Sequence, residues 1–258
     1  MILAQLTDTH LMTPEAGGGG ARRRIDDLRR CVTDINALDP RPDAVIHTGD
    51  MTQHGDAKEY AVAAENLANL EIPLYPTPGN RDSSAGLART FCTGYMPEDA
   101  SFVHYAIDTH PVRLVAVDST SSHSNKGDFC DARLKALDAT LSQAPDQPTA
   151  LFLHHPPFDV PTIPEPFQYE RREAADGVAA VVSRHQQVVR IFCGHVHRPW
   201  MTGFAGTVAS TIPSVCTELR KGPYPEAMAE RTFYQVHRFD PTYGFASETR
   251  LPAIGGTG

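Results

Sequence analysis

The sequence predicts an α/β (α+β) fold in which two packed β-sheets of mixed strand direction are flanked by helices. Short apolar runs of strand length recur along the chain, and amphipathic stretches of helical period separate many of them. This alternation is regular in the first half, which follows a β-α-β-α-β order, and less regular afterwards. Residues 200–251 contain strand-like runs broken by Gly and Pro, so further strands are expected there.

In the first half, apolar runs predict strands at residues 2–6, 44–47 and 72–75. Residues 22–38 carry apolar side chains at three- and four-residue intervals, which predicts a helix with one buried stripe. A second amphipathic helix is predicted at residues 56–70, with Asp56 as its N-cap. The four glycines at residues 17–20 predict a flexible loop just after the first polar motif.

In the second half, strands are predicted at residues 103–107, 112–117, 150–153 and 188–192, and helices at residues 131–141 and 171–185. The Pro-rich residues 156–166 predict a loop. We expect this loop and the glycine-rich loop to border the functional site.

The chain length of 258 residues suits one α/β domain. We predict a catalytic domain at residues 1–202 and, within the same domain, a strand-rich part at residues 203–258 that would cap the site or form a dimer contact. The formal net charge of −8 would repel a polyanion, so extended nucleic acid is not an expected partner. Small anionic substrates remain compatible with this charge.

The five cysteines are widely spaced and contain no C-x-x-C pair, which favours a reducing compartment. The first eight residues lack the basic segment of a signal peptide, and their apolar run is too short to span a membrane. These features predict a cytoplasmic protein that does not associate with membranes.

Five short motifs follow apolar runs and carry side chains that bind metals. They are, in chain order, Asp8-Thr9-His10, Gly49-Asp50, Gly79-Asn80-Arg81-Asp82, His154-His155-Pro156-Pro157 and Gly194-His195-Val196-His197. One such motif alone is usually a turn or a helix cap, but five in order at predicted strand ends indicate a metal site. The seven other histidines are interpreted as structural or surface residues: His47, His54, His104, His110, His123, His185 and His237.

The donor types indicate two divalent ions. Side chains two residues apart at a strand end start on the same side, so Asp8 and His10 could share one cation. Carboxylate, amide and imidazole donors without thiolate suit Mn, Fe, Zn or Co. Asp50 is the expected bridge, because the two oxygens of a carboxylate can hold ions roughly 3.5–4 Å apart. Gly49 would let the backbone pass close to the metals.

The ordered motifs resemble those of the calcineurin-like metallophosphoesterase superfamily, D-x-H, G-D, G-N-H-D/E, H-x-P and G-H-x-H. The resemblance covers residues 1 to about 200 and is strongest to the class III cyclic nucleotide phosphodiesterase and glycerophosphodiesterase branch. It implies a four-layer αββα sandwich of two mixed β-sheets flanked by helices, with the metals at strand ends. It also makes a homodimer or a higher homo-oligomer plausible.

The resemblance assigns Asp8, His10 and His197 to one metal and Asn80, His154 and His195 to the other, with Asp50 bridging them. His155 is then expected in the surrounding loop, behind the ligands or in contact with the substrate. Asp82 is expected to orient one of the groups around the ions.

Arg81 departs from the family pattern, which has histidine at this position. An arginine does not release its proton at useful pH, so it is a poor general acid, but it binds phosphate oxygens well. We therefore predict that Asn80 and Arg81 bind the substrate phosphate and stabilise charge in the transition state. The alternative is an outward-facing Arg81 that pairs with Asp82.

The predicted activity is hydrolysis of small phosphodiesters, either cyclic nucleotides or glycerophosphodiesters, by a hydroxide that bridges the two metals. In this scheme Asp50, Asn80 and Arg81 are the catalytic residues. Two alternatives stay open at this point: a phosphomonoesterase or protein phosphatase on the same fold, and a scaffold that binds metal without catalysis.

Overall fold

The computed structural model describes residues 1–92, 94–96 and 101–253 of the chain. The residues 254–258 of the predicted strand-rich part lie outside this range. The strands are β1 (Ile2–Leu6), β2 (Ala44–Thr48), β3 (Leu74–Thr77), β4 (His104–Ile107), β5 (Arg113–Val117), β6 (Thr149–Phe152), β7 (Val188–Cys193), β8 (Trp200–Phe204), β9 (Thr207–Thr211), β10 (Tyr234–Asp240) and β11 (Gly244–Arg250). The helices are α1 (Pro14–Asn36), α2 (Ala57–Leu67), α3 (Ser84–Phe91), α4 (Asp131–Ser142), α5 (Arg172–Val182) and α6 (Glu226–Ala229).

The strands form two mixed sheets. One sheet has the order β11-β10-β1-β2-β3. Strands β1, β2 and β3 are parallel, and β10 runs antiparallel to both of its neighbours, β1 and β11. The other has the order β4-β5-β6-β7-β9-β8, in which β5, β6, β7 and β9 are parallel and the two edge strands run the other way. The prediction of two mixed sheets is confirmed.

Alternating side chains of the second sheet divide the core into two layers, as the two-residue period of a strand requires. Leu114, Phe152 and Phe192 face the first sheet and share a core with α1 and α2. Leu151 and Ile191 face the opposite side, where they pack with buried residues of α4 and α5. The order of layers is therefore helix, sheet, sheet, helix, which confirms the predicted αββα sandwich.

The glycine-rich residues 17–20 differ from their prediction. They lie within α1, and the helix is kinked at Gly18, whose φ is 56° and ψ is −129°. A side chain is disfavoured at this positive φ, so glycine is what allows the kink. Thr13 caps the preceding turn by accepting a hydrogen bond from the Ala16 N–H, so the segment is a bent helix start and not a loop.

The boundary drawn at residues 202/203 falls inside β8. Of the strands beyond it, β9 pairs with β7 and β10 pairs with β1, so this part of the chain completes both sheets. No helix among the residues that the structure describes has the length and apolar character needed to cross a membrane.

Candidate metal centre

The structure brings together all seven side chains that the resemblance assigned to metals. Parallel strands β1, β2 and β3 of one sheet and β6 and β7 of the other end at the same side of the sandwich, as is usual for ligand sites of open α/β sheets. Each motif begins within a few residues of one of these strand ends, so the topology brings the five motifs to one side of the sandwich.

One cluster consists of Asp8, His10 and His197, whose ligand atoms lie within 4.8 Å of one another. His197 Nε2 lies 3.0 Å from Asp8 Oδ1 and 3.3 Å from His10 Nε2. His197 donates its Nδ1–H to the Leu219 carbonyl at 2.7 Å, which directs Nε2 towards the cluster. Asp8 Oδ2 accepts hydrogen bonds from Thr7 Oγ1 and the His195 N–H, so Oδ1 is the oxygen that faces the histidines.

The second cluster consists of Asn80, His154 and His195. His154 Nε2 lies 3.2 Å from Asn80 Oδ1 and 3.2 Å from His195 Nδ1. His154 Nδ1 is oriented by the Thr48 carbonyl at 2.7 Å, and His195 Nε2 by Gln168 Oε1 at 2.8 Å. His195 therefore presents Nδ1 to the cluster, whereas His154 presents Nε2.

Asp50 lies between the two clusters. Its Oδ2 is 3.5 Å from His10 Nε2 and 3.5 Å from His154 Nε2, while its Oδ1 accepts the Arg81 backbone N–H at 2.7 Å. Asp50 Oδ2 thus faces both clusters, the position that a bridging ligand would take, while Oδ1 is held by a backbone donor.

The ligand pairs Asp8/His10 and His195/His197 do not converge through the two-residue period of a strand, as was predicted. Asp8, His10, Asp50, His195 and His197 all have positive φ, between 44° and 71°. None of them lies in a strand, since β1 ends at Leu6, β2 at Thr48 and β7 at Cys193. Left-handed turns beyond the strand ends, not alternation along a strand, aim these side chains at one point.

Close backbone packing requires glycine in the motifs. A Cβ on Gly49, whose φ is 90°, would lie 2.5 Å from His154 Nδ1, and a Cβ on Gly194 would lie 2.1 Å from Thr7 Oγ1. Contacts this short do not occur between real atoms, so a side chain at either position would push ligand-bearing loops apart.

The donor set fits cations. The Nδ1–H groups of His154 and His197 donate to backbone carbonyls, so each ring in its neutral form carries a lone pair on Nε2. These lone pairs face other acceptor atoms, Asn80 Oδ1 for His154 and Asp8 Oδ1 for His197. Burial lowers the pKa of His154, but the charge of Asp50 and its hydrogen bond raise it to about 9. Burial would raise the pKa of Asp8, yet His197 holds it well below its usual value. The cluster therefore attracts positive charge, as a metal centre does.

Asp82 fastens the loops that carry Asp50 and Asn80. Its Oδ2 accepts the N–H groups of Met51 and Gly79, each at 3.0 Å, and its Oδ1 accepts from the N–H and hydroxyl of Thr52. Both oxygens are thus directed at these two loops. Among the described residues, Asp82 does not pair with the Arg81 side chain, in contrast to the alternative considered for Arg81. Arg81 is exposed and lines the mouth of the centre.

His155 does not reach the substrate side. It is fully buried, its Nδ1 lies 3.0 Å from Ser119 Oγ, and its Nε2 lies 3.1 Å from the Asn125 carbonyl. The ring packs against those of His154 and His195, with centroid distances of 4.8 and 4.4 Å. The structure therefore does not support a substrate contact for His155 and places it behind the ligands, where it links them to the loop after β5.

Several neighbours of the centre were not predicted. Gln168 and the Leu219 carbonyl orient ligand histidines, and Asn125, Lys126 and Lys221 line the cavity of about 420 Å³ over the centre. The Pro-rich loop borders this cavity through Ile163 and Pro164, as expected. None of the five unpredicted residues belongs to a motif, and their roles depend on contacts between distant parts of the chain.

Comparisons with known proteins agree with this geometry. Residues 1–199 match the family model of calcineurin-like phosphoesterases. A probable glycerophosphodiester phosphodiesterase GpdQ of Arcobacter nitrofigilis is 32% identical over an alignment of 263 positions, which covers 96% of this chain and 92% of that protein. The 3',5'-cyclic adenosine monophosphate phosphodiesterase CpdA of Vibrio vulnificus is 26% identical over 84% of this chain and 77% of its own length.

Among solved structures, a dimetal phosphatase from Danio rerio superposes with a TM-score of 0.72 at 15% identity and covers 98% of this chain and 99% of its own. This likeness shows the fold. The family model spans the five motifs, and the curated relative from Arcobacter extends the match over nearly the whole chain. The chain therefore belongs to the calcineurin-like phosphoesterase family.

Proposed function

We propose that this chain is a phosphodiesterase that hydrolyses small phosphodiesters at a centre of two divalent metal ions. The observation that carries the proposal is the position of Asp50 Oδ2, 3.5 Å from a histidine nitrogen of each cluster. One ion would be held by Asp8, His10 and His197, and the other by Asn80, His154 and His195, with Asp50 shared. The names of the relatives, glycerophosphodiester and cyclic nucleotide phosphodiesterases, support a diester substrate.

The metals, when bound, supply Lewis acidity that activates water and neutralises phosphoryl oxygens. The ligand set of carboxylate, amide and imidazole groups favours Mn, Fe, Zn or Co. Magnesium alone is a poorer fit, because it prefers oxygen donors and keeps several waters.

The chain's own contribution is to bind and orient the substrate anion. Arg81, Lys126 and Lys221 line the cavity over the centre and bring three positive side chains to its mouth. Asn80 lies at its floor, where its amide N–H can donate to a phosphate oxygen. A cavity of about 420 Å³ suits a small molecule and not an extended nucleic acid.

The test is metal-dependent hydrolysis measured with two matched substrates. Metal-free protein is reconstituted separately with Mn, Fe, Zn and Co and assayed on bis(4-nitrophenyl) phosphate and on 4-nitrophenyl phosphate. We expect turnover only with metal and a higher kcat/KM for the diester. A faster monoester reaction would instead make the chain a phosphomonoesterase, and binding of two metals without turnover would make it a scaffold.

Asp50→Asn tests the bridging role directly. The amide keeps the size of the carboxylate but removes the charge between the two clusters, so we expect loss of bound metal and a fall in kcat of at least about 10³-fold. Asp26→Asn is the matched control, because the Asp26 side chain is 56% exposed on α1. Metal analysis of both variants separates loss of ligands from loss of fold.

The subunit number and the cellular location are part of the same proposal. All five cysteines are free, which supports a reducing and hence cytoplasmic setting. The proposed homodimer would form through the strand-rich part of the chain, and sedimentation of the purified protein measures the subunit number.

A further inference from the structure

A second cavity of about 550 Å³ adjoins the metal centre. It shares Asn80 with the first cavity and extends from there between α3 and the start of α4. The loop after β5 separates the two: Thr120 to His123 line the second cavity, whereas Asn125 and Lys126 line the first. A molecule bound at Asn80 therefore has access to both.

The two cavities differ in charge. The walls of the first carry Arg81, Lys126 and Lys221 with one carboxylate outside the ligand set, that of Glu165. The walls of the second carry three carboxylates, those of Asp82, Asp118 and Asp128. Arg133 lies 3.7 Å from Asp118 and Arg171 lies 2.9 Å from Asp128, so these two cations leave an excess of one negative charge. The first cavity thus favours an anion and the second disfavours one.

The carboxylates of the second cavity are fixed in place. Asp118 is buried and accepts hydrogen bonds from Ser84 Oγ, Val103 N–H and the N–H and hydroxyl of Thr120. Asp82 accepts from three backbone N–H groups and from the hydroxyls of Thr52 and Tyr60. Because their lone pairs are engaged, these groups act mainly as a fixed negative field. The Ser122 hydroxyl faces the cavity, and the hydroxyls of Thr120 and Ser121, which donate to Asp118 and Glu170, can still accept a hydrogen bond from a ligand.

The wall between the cavities is anchored to His155, which packs behind the ligand histidines. Ser119 Oγ and the Asn125 carbonyl contact the two ring nitrogens of His155, and the Gly127 N–H donates to the Gln168 carbonyl at 2.8 Å. Ser121 and Ser124 both hydrogen-bond Glu170. A fixed wall means that the second cavity is present before substrate binds.

From this geometry, and on the basis of the proposed function, we infer that the second cavity receives one alcohol arm of the phosphodiester. The arm that it fits is hydroxylated and either uncharged or cationic, and an arm that carries a second anion is rejected by the field of Asp82, Asp118 and Asp128. The phosphate itself would lie in the cationic cavity, at Asn80 and Arg81.

The test uses symmetric diesters, in which the same group enters the second cavity whichever arm binds there. Glycerophosphoglycerol carries two hydroxylated, uncharged arms, and the corresponding diester of two glyceric acid molecules carries a carboxylate on each arm. We expect kcat/KM to be at least about tenfold lower for the bis-glycerate diester. Asp128→Asn should narrow this difference in kcat/KM at least threefold, whereas Asp146→Asn, an exposed change that is not in the cavity wall, should leave it unchanged.

A filling variant tests the location of the arm. Ala132 is exposed on α4 and lines the cavity, so Ala132→Trp should raise KM for the glyceryl diesters at least tenfold while the metal content stays at that of the unaltered chain. Lys135→Trp on the same helix is the control, because Lys135 is exposed but does not line the cavity.

Equal kcat/KM for glycerophosphoglycerol and the bis-glycerate diester, or an unchanged KM in Ala132→Trp, would overturn the inference while hydrolysis of bis(4-nitrophenyl) phosphate still supported the proposed function. Absence of hydrolysis of every diester, the aryl diester included, would overturn both.

Discussion

Backbone strain in this molecule is concentrated at the metal-ligand residues. Six residues other than glycine have positive φ among those that the structure describes, and five of them are candidate ligands. A left-handed conformation costs such a residue roughly 1–2 kcal/mol. The surrounding hydrogen bonds hold these conformations in place, for example His10 N–H to the Asp50 carbonyl at 2.9 Å and Ser214 Oγ to the Asp8 carbonyl at 2.7 Å. Strain of this kind is typical of functional sites.

Arg81 is the residue at which this chain departs from its family pattern, and its side chain can be tested alone. Its backbone N–H holds Asp50, so a substitution that changes only the side chain leaves that bond intact. We expect Arg81→Ala to lower kcat/KM for bis(4-nitrophenyl) phosphate by about 10²-fold, because a guanidinium hydrogen bond to a phosphate is lost. Arg81→Lys should restore part of the loss, since it keeps the charge but not the forked geometry.

Arg41→Ala is the control for this measurement. Arg41 pairs with Glu71 at 2.8 Å and precedes β2, whereas Asp50 follows the other end of that strand. The Arg41→Ala substitution therefore removes the same side chain and charge from a place remote from the centre. Equal rates for Arg81→Ala and Arg41→Ala would show that Arg81 does not bind the substrate.

At the scale of elements, strands were easier to predict than their ends. The strand predicted at residues 72–75 is shifted by two residues, because β3 continues to pair with β2 through His47↔Pro76 and Thr48↔Thr77. A proline inside a strand usually signals its end, but β3 is an edge strand, where a missing N–H is tolerated. The pattern of apolar residues does not reveal which strand lies at an edge.

Helix α3 was missed for a different reason. It has only eight residues, and its start depends on Ser83, whose side chain accepts a hydrogen bond from the Gly86 N–H. An eight-residue segment with Gly86 inside it has too few turns to show a helical period. Asp56 was correctly placed at the start of α2, although its side chain forms no capping hydrogen bond.

The junction between β7 and the last motif depends on the absence of a side chain at residue 194. A Cβ there would lie 2.1 Å from Thr7 Oγ1 and 2.8 Å from Asp8 Oδ2. We expect Gly194→Ala to displace the loops of Asp8 and His195, to destabilise the fold by about 1–3 kcal/mol and to reduce bound metal well below two ions per chain. Denaturant unfolding and metal analysis measure the two effects.

Gly203→Ala makes the same chemical change in β8, where nothing lies within 4 Å of the added atom. Its unfolding free energy should differ from that of the unaltered chain by no more than about 0.5 kcal/mol. If both alanine variants behaved alike, close packing at residue 194 would not be what positions the ligands.

At the scale of the whole molecule, local patterns located the ligands but not the walls around them. Asp8, Asp50 and His195 each follow an apolar run, so the sequence marks them. Gln168 and Leu219 carry no such mark, because they act on His195 and His197 through long-range contacts. The cavity beside Asn80 is likewise formed by three separate segments between Gly79 and Arg133, and no local period encodes it.

Removal of the metals tests whether the centre also holds the two sheets together. Asp8 and Asp50 are buried together with the ligand imidazoles, and ions bound only to the folded chain stabilise it by about 2.7 kcal/mol per site at a hundredfold excess over Kd. For a domain of this size, chelation followed by dialysis should lower Tm by roughly 5–10 °C per site, and added Mn should restore it. The Asp50→Asn variant is expected to bind little metal, so the same treatment should hardly change its Tm. An identical Tm for the metal-free and metal-loaded forms of the unaltered chain would contradict a centre built across both sheets.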